Sequence, residues 1–413
     1  MSVKQWRRLD AVERVKRNEL TMGEAALVVG ISKRQMRRIC RRIAAEGAAG
    51  VIHGNTGRHP WNEADDELHE EVVELFRTKY VGFNDRHFTE KLVSEEGIEV
   101  SRATVRRWLR CANLPSARKR RPPKHRRRRD RKPQAGMMVL WDGSNHDWLE
   151  GRGPRLCLMG TIDDATGELL PGAHFVEQEC SAGYLRNLLE IGRAKGLPWS
   201  IYMDQHSSLR RNDDYWTLEE ELRGEQDPTH VGRALKALGI EVIYALTPQA
   251  KGRVERLWGT MQDRLVSELR LAGASTMEEA NAVLEIYIGE HNRCFAIAPA
   301  DAKSAWGKVR RGVDLEQVCS FFYEATVLND NTVRLSGKVI DIPEGPRKRS
   351  YAKAKVEVRQ LLDGSWRVYH QGKLIAETEA TGVEELRPLR KRKRPAASKA
   401  FRKSVRQIAV SLP

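Results

Sequence analysis

Three acidic residues of this chain lie where a divalent metal ion could be bound. Asp142 and Asp204 each follow a short apolar run that predicts a β-strand, and Glu255 falls one turn into a predicted amphipathic helix. Because ligands gather where side chains leave an open α/β sheet, we expect the two aspartates to converge if their strands are neighbours. Such carboxylates would hold two Mg²⁺ ions, with Mn²⁺ as a substitute, and would support in-line transfer of a phosphodiester by an activated water or 3′-hydroxyl.

Spacing alone selects this triad only weakly, because the chain contains 56 acidic residues. Other acids have ordinary structural interpretations. Asp163 and Asp164 fall in a predicted hairpin turn, where aspartate is favoured for local hydrogen bonding, and Asp213 and Asp214 lie in a polar stretch. We predict turn and surface roles for both of these pairs.

The composition indicates a polyanionic partner. Among 413 residues, 72 Lys and Arg outnumber 56 Asp and Glu, which gives a formal net charge of +16. Nucleic acid is the expected partner and an anionic membrane surface is the rival. No apolar run approaches the roughly 18 residues that cross a bilayer, and Met1–Leu20 does not resemble a signal peptide, so we expect a cytosolic protein without a membrane partner. The six cysteines include no Cys-x-x-Cys pair, which argues against a cysteine zinc site.

Two N-terminal segments have the pattern of a helix-turn-helix, in which the second helix reads the major groove of DNA. In the first segment, Thr21 and Glu24 match a capping box, Gly30 predicts the turn and Ser32 caps the next helix. In the second segment, Ser101 caps the corresponding helix. An ordinary helical pair with a solvated basic face is the alternative in both cases. The candidate DNA contacts are Lys33, Arg34, Gln35, Arg37, Arg38, Arg102, Arg106 and Arg107.

The middle of the chain alternates predicted strands and helices, which is typical of an α/β domain. The strands before the two aspartates span residues 138–141 and 200–203, and a hairpin joins residues 157–162 to residues 169–176. Near the C-terminus, short alternating segments predict a small all-β barrel or sandwich. The predicted domains are helix-turn-helix modules at 1–55 and 60–115, a basic linker at 116–134, the α/β core at 135–310, the β-barrel at 318–382 and a basic tail, disordered until bound, at 383–413.

Three sequence blocks resemble the catalytic blocks of insertion-sequence DDE transposases, which have a retroviral-integrase core. The blocks are Trp141-Asp-Gly-Ser, Tyr202-Met-Asp-Gln-His-Ser and Thr247-Pro-Gln-Ala-Lys-Gly-Arg-Val-Glu. The third is the most specific, because a Pro-Gln-x-x-Gly-x-x-Glu run followed by an amphipathic helix is rare by chance. The resemblance extends to a downstream His291-Asn-Arg element and covers about residues 135 to 310.

The resemblance implies a multidomain protein whose ribonuclease H-like α/β core uses Asp142, Asp204 and Glu255 as catalytic and metal-binding residues. It implies that the N-terminal modules bind the terminal inverted repeats of a mobile element, and that the core cleaves each end and joins the 3′-hydroxyl to target DNA. It further implies at least a homodimer in the synaptic complex, a bacterial, nucleoid-associated location and no small-molecule substrate. A catalytically silent DNA-binding regulator and a ribonuclease H-type nuclease are the alternatives. The complete acidic triad argues against the first, and the two helix-turn-helix modules argue against the second.

Residues beside the triad have less specific interpretations. Lys251 and Arg253 precede the glutamate and are candidates for contacts with DNA phosphates, with a solvated helix start as the alternative. His206 is a candidate for orienting a phosphate or a water at the site, with a surface histidine as the alternative. The chain departs from the family pattern at Gln262, where many relatives have a lysine or arginine, and Arg264 is the nearest cation.

Two further departures concern whole segments. The interval between Asp204 and Glu255 is longer than in retroviral integrases, because the polar stretch 207–229 is inserted. The pattern predicts an excursion near the active site there, without indicating its role. The His-His-Cys-Cys zinc module of retroviral integrases has no counterpart, so we expect no structural zinc.

Overall fold

The computed structural model describes residues 2–53, 55–57, 65–116, 129–211, 216–245 and 252–386. Contacts between Cα atoms divide the chain into two compact units, residues 1–74 and residues 75–413. Among the helices of the described ranges, none is long and apolar enough to cross a membrane.

The first unit begins with a small helical bundle. Its elements are α1 (Val3–Lys16), α2 (Met22–Val29), α3 (Lys33–Glu46) and a 3₁₀ turn at Gly47–Val51. Local chemistry sets these bounds: Thr21 and Glu24 form the expected capping box, Gly30 ends α2 with a φ of 72°, and Ser32 accepts a hydrogen bond from the backbone of Gln35 at 3.2 Å. The predicted helices are confirmed, while their assignment as a helix-turn-helix remains a prediction.

A second helical module follows, and an aromatic cluster holds it together. Its helices are α4 (Asp66–Thr78), which crosses the boundary between the units, α5 (Asp85–Ser94) and α6 (Arg102–Cys111). Phe76 and Phe88 meet edge to face with ring centroids 5.1 Å apart, and Tyr80 meets Phe83 at 5.2 Å. Ser101 caps α6 by accepting a hydrogen bond from the backbone of Thr104 at 3.1 Å, as predicted.

A five-stranded mixed sheet in the order β3-β2-β1-β4-β5 forms the centre of the second unit. The strands are β1 (Met138–His146), β2 (Leu156–Asp163), β3 (His174–Val176), β4 (Ser200–Met203) and β5 (Glu241–Tyr244). β1 and β2 are antiparallel, whereas β1, β4 and β5 run parallel. The predicted hairpin is confirmed by antiparallel pairing of β2 with β3, although β3 is shorter than predicted because Leu169 joins Ile162 only through an isolated bridge.

Helices cover both faces of this sheet. They are α7 (Ser181–Ala194), α9 (His230–Leu238), α10 (Gly252–Leu271), α11 (Met277–Phe295) and α12 (Leu315–Val318), and a short helix α8 (Leu218–Arg223) lies between α7 and α9 in the chain. Successive side chains of a strand point to opposite faces, so Leu140 joins the apolar cluster that includes Trp258 of α10, while Trp141 joins the cluster that includes Tyr184 of α7. The α/β architecture of the core is therefore as predicted.

The remaining strands form an all-β region. They are β6 (Phe321–Thr326), β7 (Thr332–Leu335), β8 (Lys338–Asp341), β9 (Lys355–Gln360), β10 (Trp366–His370) and β11 (Lys373–Thr378). Four of them make an antiparallel sheet in the order β11-β10-β9-β6, and β7 pairs with β8. The strand content agrees with the predicted β domain, whose closure into a barrel remains a prediction.

Candidate active site

Asp142 lies on β1, and Asp204 directly follows the end of β4, the neighbouring parallel strand. The register pairs Leu140 of β1 with Tyr202 of β4, so each aspartate lies two residues beyond this pair. Neighbouring strands are about 4.8 Å apart, so the two carboxylates emerge side by side. We call these residues the aspartate pair. The predicted end of the first strand at Trp141 was wrong, because antiparallel pairing with β2 continues β1 to His146.

Helix α10 packs against β1 and contacts Asp142. The indole Nε1 of Trp258 donates a hydrogen bond to Oδ2 of Asp142 at 2.8 Å, and the amide Nε2 of Gln262 lies 3.3 Å from Oγ of Ser144. Glu255 precedes Trp258 by three residues and so lies on the same helix face, where it is exposed. Within the described ranges, no three His, Cys, Asp or Glu side chains lie close enough to hold a metal ion. The glutamate and the aspartate pair are thus on facing elements but do not form one closed group.

A further acid, Glu179, lies beside the aspartate pair and was missed by the sequence analysis. Its Oε1 accepts a hydrogen bond from the Tyr184 hydroxyl at 2.5 Å and lies 3.4 Å from Nδ1 of His206. His206 also donates its backbone N–H to Oδ1 of Asp204 at 2.9 Å. Burial raises the pKa of Glu179 against the opposing effects of Tyr184 and His206, and the charges of Asp204 and Asp142 raise this pKa further.

The position of Glu179 in the chain carries a signal that could have identified it. It follows the end of β3 by three residues, and β3 is the outer neighbour of β2 in the central sheet. An acid shortly after an apolar strand is the same pattern that indicated Asp204. The sequence did not show that the sheet would bring this strand end toward the aspartate pair.

Arg253, which precedes the glutamate by two residues, contacts a buried acid. Arg253 contacts the carboxylate of Asp164 and donates to the backbone oxygen of Arg129 at 2.5 Å. Arg129 donates to the same Asp164 carboxylate at 2.5 Å. The predicted surface role of Asp164 was wrong, since this residue is fully buried and joins the end of the basic linker to the first turn of α10. Lys251, like Asp213 and Asp214, lies outside the described residues.

The candidate DNA contacts of the helical modules are all exposed. On α3 the apolar side chains Met36 and Ile39 point into the bundle, and on α6 Val105 and Leu109 do so. The opposite faces carry the predicted basic and amide side chains, namely Lys33, Arg34, Gln35, Arg37, Arg38, Arg102, Arg106 and Arg107.

Charged contacts attach α5 to α10. Arg264, the predicted nearest cation, is buried and donates to Glu90 at 2.6 Å, so it faces α5 and not the substrate. Glu268 lies 2.6 Å from the ring nitrogen of buried His87 and 3.0 Å from the ammonium of Lys91. Burial alone would raise the pKa of Glu268, but the hydrogen bonds from His87 and Lys91 outweigh it and lower this pKa. We call the five residues of these contacts the interhelix ion cluster, namely His87, Glu90, Lys91, Arg264 and Glu268.

Several solved structures share limited similarity with the chain. A chain of a simian T-cell lymphotropic virus intasome, in complex with the PP2A regulatory subunit B56 gamma, is 14% identical, with a TM-score of 0.30, covering 74% of this chain and 99% of that one. The catalytic core domain of HTLV-2 integrase in complex with magnesium is 16% identical, with a TM-score of 0.25, covering 37% of this chain and 84% of that one. No protein-family model matches the chain.

Two curated relatives are much more similar in sequence. Protein y4bF of Sinorhizobium fredii, named as a transposase, is 39% identical over 300 residues, which are 73% of this chain and 64% of the relative. The chain therefore spans less than two thirds of that protein's length. The transposase for insertion sequence IS1202 of Streptococcus pneumoniae is 30% identical over 321 residues, covering 69% of this chain and 67% of that protein. The chain belongs to the family of insertion-sequence transposases.

Proposed function

We propose that the chain is a DDE transposase that cleaves the ends of a mobile element and joins them to target DNA. The observation that carries this proposal is the parallel pairing of β1, which contains Asp142, with β4, which ends one residue before Asp204. Trp258 supports the proposal, because its hydrogen bond to Asp142 orients toward that aspartate the face of α10 on which Glu255 also lies. The strand order β3-β2-β1-β4-β5, with helices on both faces, supports a ribonuclease H-like core.

The donor set fits Mg²⁺, with Mn²⁺ as a substitute. Carboxylate oxygens are preferred ligands of such hard cations, and Asp142 and Asp204 supply them. We assign Asp142, Asp204 and Glu255 as the residues that would hold two ions. When bound, the ions activate a water or a 3′-hydroxyl as nucleophile and stabilise the leaving oxygen.

The chain's own residues orient the acids and bind the DNA. Trp258 fixes the carboxylate of Asp142 by donating to one of its oxygens, and the backbone N–H of His206 does the same for Asp204. Lys251 and Arg253 are proposed to contact phosphates near the cleaved bond, and for Arg253 this requires exchange of Asp164 for a phosphate.

DNA recognition is assigned to the exposed faces of the helical modules. The side chains of α3 and α6 would contact base edges and phosphates of the terminal repeats, as second helices of helix-turn-helix modules do. The β domain and the basic tail would hold target DNA through phosphates without reading sequence. Holding two ends at once requires at least two copies of the chain in the synaptic complex.

The test is strand transfer by the full-length protein on DNA that carries the flanking ends of its own gene. With Mg²⁺ or Mn²⁺ we expect joined products, and Asp204→Asn should lower their yield by at least about 100-fold while end binding persists. Asp227→Asn is the matched control, because this half-exposed carboxylate pairs with Arg223 at the surface and its loss should change little. Tight, specific binding of the ends without cleavage by the wild-type protein would contradict the proposal and favour a silent DNA-binding regulator.

A further inference from the structure

We propose that Glu179 is a positioning residue of the cation site, whose negative charge beside Asp142 and Asp204 raises the affinity of the aspartate pair for a divalent cation. This inference rests on the proposed function, because it assumes that the pair binds such a cation. Glu179 would act through the pair by its charge, without contacting the DNA.

The carboxylate of Glu179 is held in one place. Its side chain is only 15% exposed, and the hydroxyl of Tyr184 donates to Oε1 at 2.5 Å. Tyr184 is fixed in turn, since its ring stacks on Trp141 with centroids 5.3 Å apart and lies in the apolar cluster between α7 and the sheet. A buried chain of contacts therefore links Glu179 to the residue that precedes Asp142.

Gly143, the residue after Asp142, makes room for this carboxylate. A Cβ atom built at Gly143 would lie 2.9 Å from Oε2 of Glu179, closer than real Cβ contacts, and 3.1 Å from Sγ of Cys157, which is a tight contact. A larger residue at this position of the first block would therefore require the Glu179 carboxylate to shift. Burial raises the pKa of the Cys157 thiol to about 12, and the charges of Glu179 and Asp142 contribute to that rise.

Like charges at close range oppose each other, and a divalent cation reverses that effect. Without a cation, Glu179 repels Asp142 and Asp204 and destabilises the folded protein. With a cation, the same charge attracts the ion and strengthens its binding. Replacing the charge with a neutral amide of the same shape should therefore change stability and cation affinity in opposite directions, whereas a residue that only supports the fold would show a loss of stability alone.

The experiment measures thermal stability of the full-length protein at about pH 8, first with a chelator and then across a titration of Mg²⁺ or Mn²⁺. Glu179→Gln should have a higher Tm than wild type in the chelator and should need about tenfold more cation for half of the stabilisation. Glu179→Asp, which keeps the charge, should stay within about twofold of the wild-type midpoint. Glu177→Gln is the matched control, because Glu177 is exposed and lies two residues away.

Three other outcomes would contradict the inference. A Glu179→Gln protein that fails to fold, or that melts below wild type in the chelator, would overturn the inference. So would a cation midpoint equal to that of Glu177→Gln, and the proposed function would then stand. A wild-type protein that neither cation stabilises would overturn both the inference and the metal assignment of the proposed function.

Discussion

The two N-terminal helical modules have similar helix patterns but are stabilised in different ways. The first, α1 to α3, encloses a small apolar core in which Met36 is the largest fully buried side chain. The second, which includes α5 and α6, has an aromatic core and is also attached to α10 by the interhelix ion cluster. Apolar packing is tolerant of small shifts, whereas a buried ion pair is costly unless its partners meet in the right geometry.

This difference indicates that α5 and α6 belong with the central sheet and α10 in one unit. Helix α10, to which α5 is attached, also contains Glu255 and Trp258, and Trp258 contacts Asp142. Because α6 packs on α5, this attachment also sets the position of α6 relative to Asp142. The first module has a complete core of its own within residues 11–51. Three predictions, in order of decreasing expected effect, test this difference between the two modules.

The largest effect is expected from Glu268→Ala. The substitution removes the acceptor that buried His87 contacts and the nearer of the two carboxylates beside Lys91. The second unit should therefore lose about 3 kcal/mol of stability, while the first unit is unchanged. Hydrogen exchange followed by mass spectrometry resolves the two units in one sample. Glu95→Ala is the control, because this half-exposed acid lies 3.7 Å from Lys91 and its loss should cost less than about 0.5 kcal/mol. Equal losses in both variants would contradict the importance of the buried cluster.

A second contrast is expected when the pH is lowered. Burial, with a contribution from Arg264, lowers the pKa of His291 on α11 to about 4. The unfolded chain, with a histidine pKa of about 6.5, takes up the proton first, so stability is present above pH 6.5 and is lost as the pH falls toward 4. At pH 4.5 the second unit should have lost about 2 kcal/mol relative to pH 7.

His291→Phe should reduce that pH dependence, because it removes the titrating group and retains ring contacts with Tyr287 and Phe295. Denaturant unfolding at the two pH values measures the effect. The same loss of stability in the variant and in wild type would assign the pH dependence to other groups.

The smallest effect compares the helix caps of the two modules. Ser32→Ala and Ser101→Ala each remove one hydrogen bond to the start of the second helix, at 3.2 and 3.1 Å, and each should cost about 1 kcal/mol. We expect Ser32→Ala to increase hydrogen exchange only in the first unit and Ser101→Ala only in the second. A change that spreads from Ser32 to α10 would show that the modules are coupled.

Features that depend on neighbouring residues were predicted well from the sequence. The cap residues Thr21, Ser32 and Ser101 identified three helix starts, because a cap needs only the backbone two or three residues later. The strand at 200–203 was also confirmed, since it is a short apolar run. The strand at 373–378 was missed, because Lys, Ala and Glu are depleted in strands and give a poor signal.

Features that depend on tertiary packing were not predicted. The sequence indicated Asp142 and Asp204, but not that Glu179 would lie beside them, because that approach depends on the order of strands in the sheet. The pairs Arg253 with Asp164 and Arg264 with Glu90 join residues far apart in the chain. A basic residue near a catalytic block suggests a phosphate contact when only its type is known, and its buried partner becomes visible only in the folded structure.

The parallel pairing of β1 with β4 also determines when, during synthesis of the chain, the aspartate pair can form. Synthesis runs from the N-terminus, and domains generally fold as units in that order. The first module has every residue of its core once Val51 has been made. The aspartate pair, in contrast, exists only after the hairpin, α7 and β4 have left the ribosome, and the helix with Glu255 follows later still. A nascent chain therefore contains every residue of the first module's core for a period in which the aspartate pair has not yet been synthesised.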